Sequence, residues 1–348
     1  MSQPGAAEPA SFTAAWRQVC ERTGVVIPVH LPPGPADPVA VSLLSDTVAA
    51  CLSQLGDPAR LCLCVDGADR GSDVAAAVAA PLGVACLALP DNRGKLHALR
   101  HGVARLLADA SLTWVVTVDM DGDHFANELV NLVRTAAFAR GQCGWEQVLV
   151  IGSRVSKHRP MGFLRGELEE LADRVLLDAL AYDAVRRGQP LRLELATAVE
   201  EYPDFHSGYK LFSRATAEAV FLAPPRLCGA TEDAYYRHGC EAVMSVEALQ
   251  AGAHLALVRR STFNEQPVSS FGQLQRARLV ADKMIWPCRR LQVPPAFVDQ
   301  WLRNHLPRLL LTTLAPPGKD ELAEIHRLVL AGVGHPTDLP LTWGPLFL

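Results

Sequence analysis

Trp114-Val115-Val116-Thr117-Val118-Asp119-Met120-Asp121-Gly122-Asp123 is the stretch on which the reading of this sequence turns. A short apolar, β-branched run ends in three carboxylates at alternate positions. Alternate residues of a strand share one face, so the three acids gather on one side if the extended geometry continues. Like charges held that close are costly unless a cation joins them. A hard divalent ion such as Mg²⁺ or Mn²⁺ takes oxygen ligands, and Mg²⁺ commonly completes its shell with substrate phosphates. Asp119, Asp121 and Asp123 are therefore candidate metal ligands for a phosphate-bearing substrate. The run also imitates the start of a calcium loop. That motif needs Gly at its sixth position and Glu at its twelfth, where this chain has His124 and Val130. The bland alternative is a solvated acidic loop.

Working outward, the chain alternates between two hydrophobic periods. Apolar runs at 24–29, 61–65, 84–89 and 114–118 read as strands. Between them, 39–55, 72–80 and 95–109 have helical spacing, and 11–22 forms a short leading helix. Four strand–helix alternations within about a hundred residues imply right-handed β-α-β units and a mostly parallel α/β sheet flanked by helices. Ligands of such sheets bind beyond the carboxyl ends of the strands. The acidic loops at 66–69 and 119–123 both fall at such ends. Further on, 148–151 reads as a strand followed by a basic loop, 152–159. A helix covers about 165–187, and 209–212 is a short strand. Thr231 is placed to cap a helix that begins with Glu232 and Asp233. Two helices, 296–313 and 319–331, form a C-terminal helical extension. The expected organisation is an N-terminal extension at 1–22, unstructured over 1–10, a catalytic domain at 23–285 and the helical extension at 286–348.

Composition narrows the class. The 348 residues are 49% hydrophobic and 20% charged, with net charge −4, as expected of a packed soluble protein without a bulk attraction to nucleic acid or anionic membrane. The nine cysteines have irregular spacing and do not read as a disulfide framework. Cys62 and Cys64 lie inside an apolar strand and read as small buried residues rather than half a zinc site. The first ten residues lack a basic start and an apolar core, so they do not form a signal peptide. No stretch reads as an integral membrane segment, and the expected location is cytoplasmic.

Several segments together resemble the family-2 glycosyltransferases with the GT-A fold. Val25-Val26-Ile27-Pro28-Val29 is similar to their opening strand, and Val65-Asp66-Gly67-Ala68-Asp69 to the acidic loop that follows. Asn92-Arg93-Gly94-Lys95-Leu96-His97-Ala98-Leu99-Arg100-His101-Gly102 matches their N-x-G-K-x-x-A-L-x-x-G stretch, and 118–123 resembles their metal-binding D-x-D. Gly152-Ser153-Arg154 and Asp204-Phe205-His206-Ser207-Gly208-Tyr209-Lys210 look most like the polyprenyl-phosphate mannose synthase branch.

The resemblance implies a transferase that inverts the anomeric centre of a UDP- or GDP-linked sugar, with Mg²⁺ or Mn²⁺ on the diphosphate. It puts Asp66 and Asp69 on the base and ribose, and Gly94 and Lys95 near the base or diphosphate. Asp121 and Asp123 would hold the metal, while Asp119 orients the donor. Pro28, Val29, Arg154, Ser207, Gly208 and Lys210 also belong to the implied nucleotide-sugar site. An accepting hydroxyl needs a base. Asp233, helped by Glu232, is the favoured candidate, and Glu241 competes. Lys157, His158, Arg159 and Arg165 form a basic cluster able to grip a phosphate or carboxylate on the acceptor. His30 and His124 adjoin the site as packing or hydrogen-bonding groups.

One departure concerns the residues after the opening strand, His30-Leu31-Pro32-Pro33, where the family usually has a small polar pair. The acceptor, soluble or lipid-linked, stays open, as does homo-oligomerisation. A sugar-phosphate nucleotidylyltransferase and a catalytically degenerate nucleotide-sugar-binding protein are the alternatives.

Overall fold

The computed structural model describes residues 11–197, 199, 201–263, 275–314, 317–336 and 341. The expected unstructured N-terminus, 1–10, lies outside them. The first half runs α1 (Phe12–Arg22), β1 (Thr23–Val29), α2 (Pro38–Leu55), β2 (Leu61–Val65), α3 (Ser72–Ala79), β3 (Ala85–Ala88), α4 (Lys95–Leu107) and β4 (Trp114–Thr117). Local chemistry sets these boundaries. Asp37 accepts the Val39 N–H at the start of α2, Pro38 occupies its first turn, and Gly56 closes it in the left-handed conformation. Length and hydropathy alone would let α2 cross a membrane. In the fold its stripe Leu44, Val48, Cys51 and Leu55 is buried, packed in the same core as alternate residues of β1 and β2.

The second half adds α5 (Leu129–Cys143), β5 (Val148–Arg154), α6 (His158–Arg187), β6 (Lys210–Ser213), α7 (Cys240–Gln250), β7 (His254–Arg260), α8 (Arg276–Arg290), α9 (Pro295–His305) and α10 (Gly318–Val333). Here the sequence reading needs correction. Strand β5 continues through Gly152-Ser153-Arg154, expected as loop, because β7 pairs with it up to Arg154 opposite Arg260. Helix α6 begins at His158 and is interrupted at Gly162, whose φ of 76° breaks the helical path. The expected 296–313 helix stops at His305, and Pro307 opens a 3₁₀ turn, Leu306–Arg308. Helix α8 spans both sides of position 286.

Seven strands form one sheet in the order β3-β2-β1-β4-β6-β5-β7. All pairings are parallel except those of β6, which is antiparallel to β4 and β5. Strand alternation sorts the core into two faces. Val25, Ile27, Leu61, Leu63, Trp114 and Val116 pack with α1, α2 and α5, whereas Val26, Cys62, Val115 and Leu149 pack with α4, α6 and α7. Each such buried aliphatic side chain contributes about 1.5–3 kcal/mol. Pro28 is tolerated in central β1 because it follows the last position paired with β4, Val26 opposite Thr117. Cys62 and Cys64 are buried, and burial pushes their thiols up to about 11 and about 12, as expected of inert packing residues.

Candidate active site

The carboxyl ends of β1, β2, β4, β5 and β7, with the start of antiparallel β6, form one rim. Lys95 opens helix α4 there. A lysine in a helix's first turn opposes the helix dipole, so its partners must compensate. The Lys95 ammonium lies 2.7 Å from Asp119 Oδ1 and 2.8 Å from Glu241 Oε1. Burial disfavours its charge, but Asp119 and Glu241 outweigh burial and hold its pKa well above the usual lysine value. Glu241 is half-buried, and Lys95, Lys283 and Lys210 keep it ionised with a lowered pKa despite desolvation.

Gly208 closes the same spot. A Cβ there would lie 2.6 Å from Asp119 Oδ2 and 3.0 Å from Lys95 Nζ. The glycine thus lets the Asp119–Lys95 pair approach the backbone more closely than any larger residue would allow. Thr117 Oγ1 donates to the Gly208 carbonyl at 2.7 Å and fixes the turn to β4. Ser207 Oγ donates to the Gly152 carbonyl at 2.7 Å. Lys210 Nζ, fully buried, donates to the carbonyls of Phe205, at 2.9 Å, and Ser207. Burial lowers its pKa to about 8.

The rest of the acidic run is held individually. The Asp119 N–H donates to His124 Nδ1 at 2.8 Å. Burial, reinforced by Arg260 and Lys95, pushes the His124 pKa well below the usual value, so the ring is neutral and can accept. Asp121 is half-buried, and its Oδ1 accepts the Asp123 N–H at 3.2 Å. Asp123 is buried against Arg260, 3.1 Å from its Nη1, and against the Phe263 N–H at 2.8 Å. Among the described residues, the grouping with three potential ligand atoms within 4.8 Å of one another is His158, Glu167 and Glu170, not the acidic run. An open site that borrows phosphate oxygens needs no prebuilt three-carboxylate cage. The oxygen-rich donor set of the acidic run, with the Lys95 ammonium beside it, fits Mg²⁺ or Mn²⁺ bound together with a diphosphate.

The remaining candidates fall into separate places. Asp66, nearly fully buried, accepts the N–H groups of Arg93 (3.0 Å) and Gly94 (2.8 Å), thereby fixing the turn into α4. Its own N–H donates to the Val29 carbonyl, and Pro28 and Val29 shape the adjoining wall. The Asp69 side chain is 67% exposed and pairs with Arg70. The His30 N–H donates to Met120 Sδ at 3.4 Å. Thr231 accepts the Ala234 N–H at 3.2 Å, as a cap should. Glu232 takes a two-point bond from Arg93, and Asp233, with its side chain 67% exposed, pairs with Arg237 one turn on. Of the two candidate bases, Asp233 and Glu241, Glu241 is the one the fold brings against the acidic run, with its side chain only 14% exposed.

The basic cluster is largely spent internally. Arg154 donates to Asp204 through Nε at 2.8 Å and to Glu169 through Nη2 at 2.9 Å. Lys157 pairs with Asp173, Arg165 with Glu169 at 3.2 Å, and His158 with Glu167 at 3.1 Å. His206 Nδ1 lies 2.6 Å from Asp173, and Lys283 from α8 lies 3.3 Å from Glu169. Glu169, Asp173, His206, Arg260 and Lys283 were not among the sequence candidates. A signal existed for Arg260 alone: Ala251-Gly252-Ala253 followed by the apolar run at 254–258 reads as a turn and a strand.

No family profile matches the sequence, and no curated protein sequence matches it. Solved structures match its fold. Glucosyl-3-phosphoglycerate synthase from Mycobacterium tuberculosis, in complex with Mn²⁺, uridine diphosphate and glucosyl-3-phosphoglycerate, aligns with a TM-score of 0.50 at 18% identity, covering 84% of this chain and 87% of that one. This chain has a GT-A-like fold. S. aureus TarS aligns with a TM-score of 0.41 at 12% identity over 90% of this chain and 49% of TarS. TarS 1–349 with UDP gives 0.38 at 12% identity over 90% of each chain. The TarS likeness is too loose to argue from, and at 18% identity the synthase speaks for the fold alone.

Proposed function

We propose that this chain is an inverting glycosyltransferase that moves a sugar from a UDP- or GDP-linked donor to an acceptor hydroxyl. The observation that carries the reading is the Lys95 ammonium clamped between Asp119 and Glu241 against the Gly208 backbone. It lies at the strand-end rim of a GT-A-like sheet, where open α/β sheets bind ligands. The solved synthase of similar fold holds Mn²⁺ and uridine diphosphate, which supports the same donor class here.

Asp121, with Asp119 beside it, would hold the Mg²⁺ or Mn²⁺. The bound ion supplies Lewis-acid neutralisation of the departing nucleoside diphosphate. Lys95 adds a positive charge at the same place. Glu241 is the base in this reading. Diphosphate binding draws Lys95 toward the phosphates, so Glu241 loses its closest counter-ion and its proton affinity rises. It then takes the acceptor's proton as the new glycosidic bond forms and the bond from sugar to diphosphate breaks. The exposed Asp233 is tied to Arg237 and plays no such part.

A panel of nucleotide sugars, assayed for slow metal-dependent donor hydrolysis, tests the reading. Hydrolysis of at least one donor, lost in D121A, supports it. Its absence across UDP- and GDP-linked sugars sinks it.

A further inference from the structure

Arg260 ends β7, and its guanidinium is committed to the acidic run. Its Nη1 donates to Asp123 Oδ2 at 3.1 Å and to the Asp123 carbonyl at 2.7 Å, while Nε donates to the Gly152 carbonyl at 3.2 Å. The other Asp123 oxygen accepts the Phe263 N–H at 2.8 Å. Both side chains are nearly fully buried. Space for the arginine is provided by Gly152, where a Cβ would lie 3.0 Å from Arg260 Cδ. The guanidinium also lies 6.0 Å from the centroid of the Tyr209 ring, and His124 stacks on that ring at 4.8 Å. His124 in turn accepts the Asp119 N–H. The two ends of the 119–123 turn are thus fastened to one buried assembly, Arg260–Tyr209–His124.

We infer that Asp123 and Arg260 are positioning residues. Asp123 acts through Arg260 to set the shape of the acidic turn and does not coordinate the metal, which Asp121, with Asp119 beside it, would hold. Asp123 is nearly fully buried, with one oxygen on Arg260 and the other on the Phe263 N–H, and drawing it out toward an ion in the rim would strand a buried, unpaired guanidinium. The inference rests on the reading that the run holds a divalent ion with a nucleoside diphosphate.

The test is Mn²⁺ binding followed by electron paramagnetic resonance in the presence of UDP or GDP. It uses the full chain as wild type, D121N, D123N, R260Q and D123N/R260Q, with thermal melts alongside. The double variant removes both charges, so it stays readable if a single variant fails to fold. Wild type binds, and D121N loses binding. R260Q weakens it by about tenfold, the loss typical of an outer partner of a metal site. Adding D123N to R260Q changes affinity by less than about twofold, because the two residues act as one unit. The inference is overturned if the two losses multiply. It is equally overturned if D123N abolishes binding while keeping its melting temperature, or if R260Q binds Mn²⁺ more tightly in a way D123N reverses. Absence of Mn²⁺ uptake by wild type with either nucleotide would sink the metal reading itself, a result distinct from these.

Discussion

The Lys95 ammonium sits 2.7 Å from Asp119 Oδ1, so the first carboxylate of the acidic run is neutralised from within the protein. That pairing makes Lys95 the hinge of the electrostatics. Replacement by Met leaves Asp119 and Glu241 facing each other without a cation. K95M lowers kcat/KM by roughly 10²–10³, the scale of losing one preorganised charge at a transition state. Steady-state kinetics with the donor identified by the panel checks this. A change below threefold would show that the ammonium serves packing alone.

Gly208 makes a steric prediction. A methyl group there meets Asp119 Oδ2 at 2.6 Å, and the far ends of Asp119 and Lys95 must shift to admit it. Backbone strain is not involved, so G208A keeps its melting temperature to within a few degrees. Donor affinity falls by about tenfold, some 1.4 kcal/mol. Calorimetry against circular-dichroism melting separates the two effects.

The two candidate bases are told apart by conservative amides. E241Q keeps metal-dependent nucleoside diphosphate binding but lowers transfer by about 10²–10⁴, the usual worth of general base catalysis. D233N, on an exposed side chain paired with Arg237, stays within about threefold, as surface changes do. The opposite ranking in single-turnover transfer assays would return the role to Asp233.

The buried ion network predicts an acid-sensitive fold. Burial works against the charged forms of Glu169 and Asp204. Lys283 and Arg154 outweigh it at Glu169, Arg154 and Lys157 at Asp204, and both carboxyls are held below their ordinary values of 4.5 and 3.8. Groups with depressed folded pKa values stabilise fully above the unfolded value and lose that stabilisation as pH falls through the folded one. The melting temperature therefore drops as pH is lowered from about 4.5 toward 3. E169Q/D204N flattens that limb. Removing one partner outright, as in D204A, costs about 3–5 kcal/mol by leaving buried Arg154 with Glu169 as its remaining carboxylate partner and Lys157 with Asp173.

Much of the first half of the fold was legible because each strand is a short β-branched run bounded by turn residues, and its pairing follows from neighbouring β-α-β units. The helix at Lys95 was legible too, and its basic first residue already violates the dipole rule, as functional sites do. Strand β7 escaped notice, and with it Arg260, whose partner Asp123 is 137 residues away. The turn at 251–253 and the apolar run after it mark the strand locally, but pairing at that separation leaves no local mark of the partner. The choice between Asp233 and Glu241 depended on which face of a turn-rich segment meets α4, a tertiary fact. The basic loop looked available for an acceptor because the acids that consume it, Glu169, Asp173 and Asp204, come from a helix interior and a distant turn.

The proposed transfer requires the acidic run to hold a divalent ion against a nucleoside diphosphate. Titration calorimetry of the wild-type chain with UDP and with GDP, each with and without Mn²⁺, tests this most directly. The predicted result is binding of at least one nucleotide that requires the metal and disappears in a folded D121A variant. Metal-independent binding, no binding of either nucleotide, or unchanged binding by D121A would contradict it.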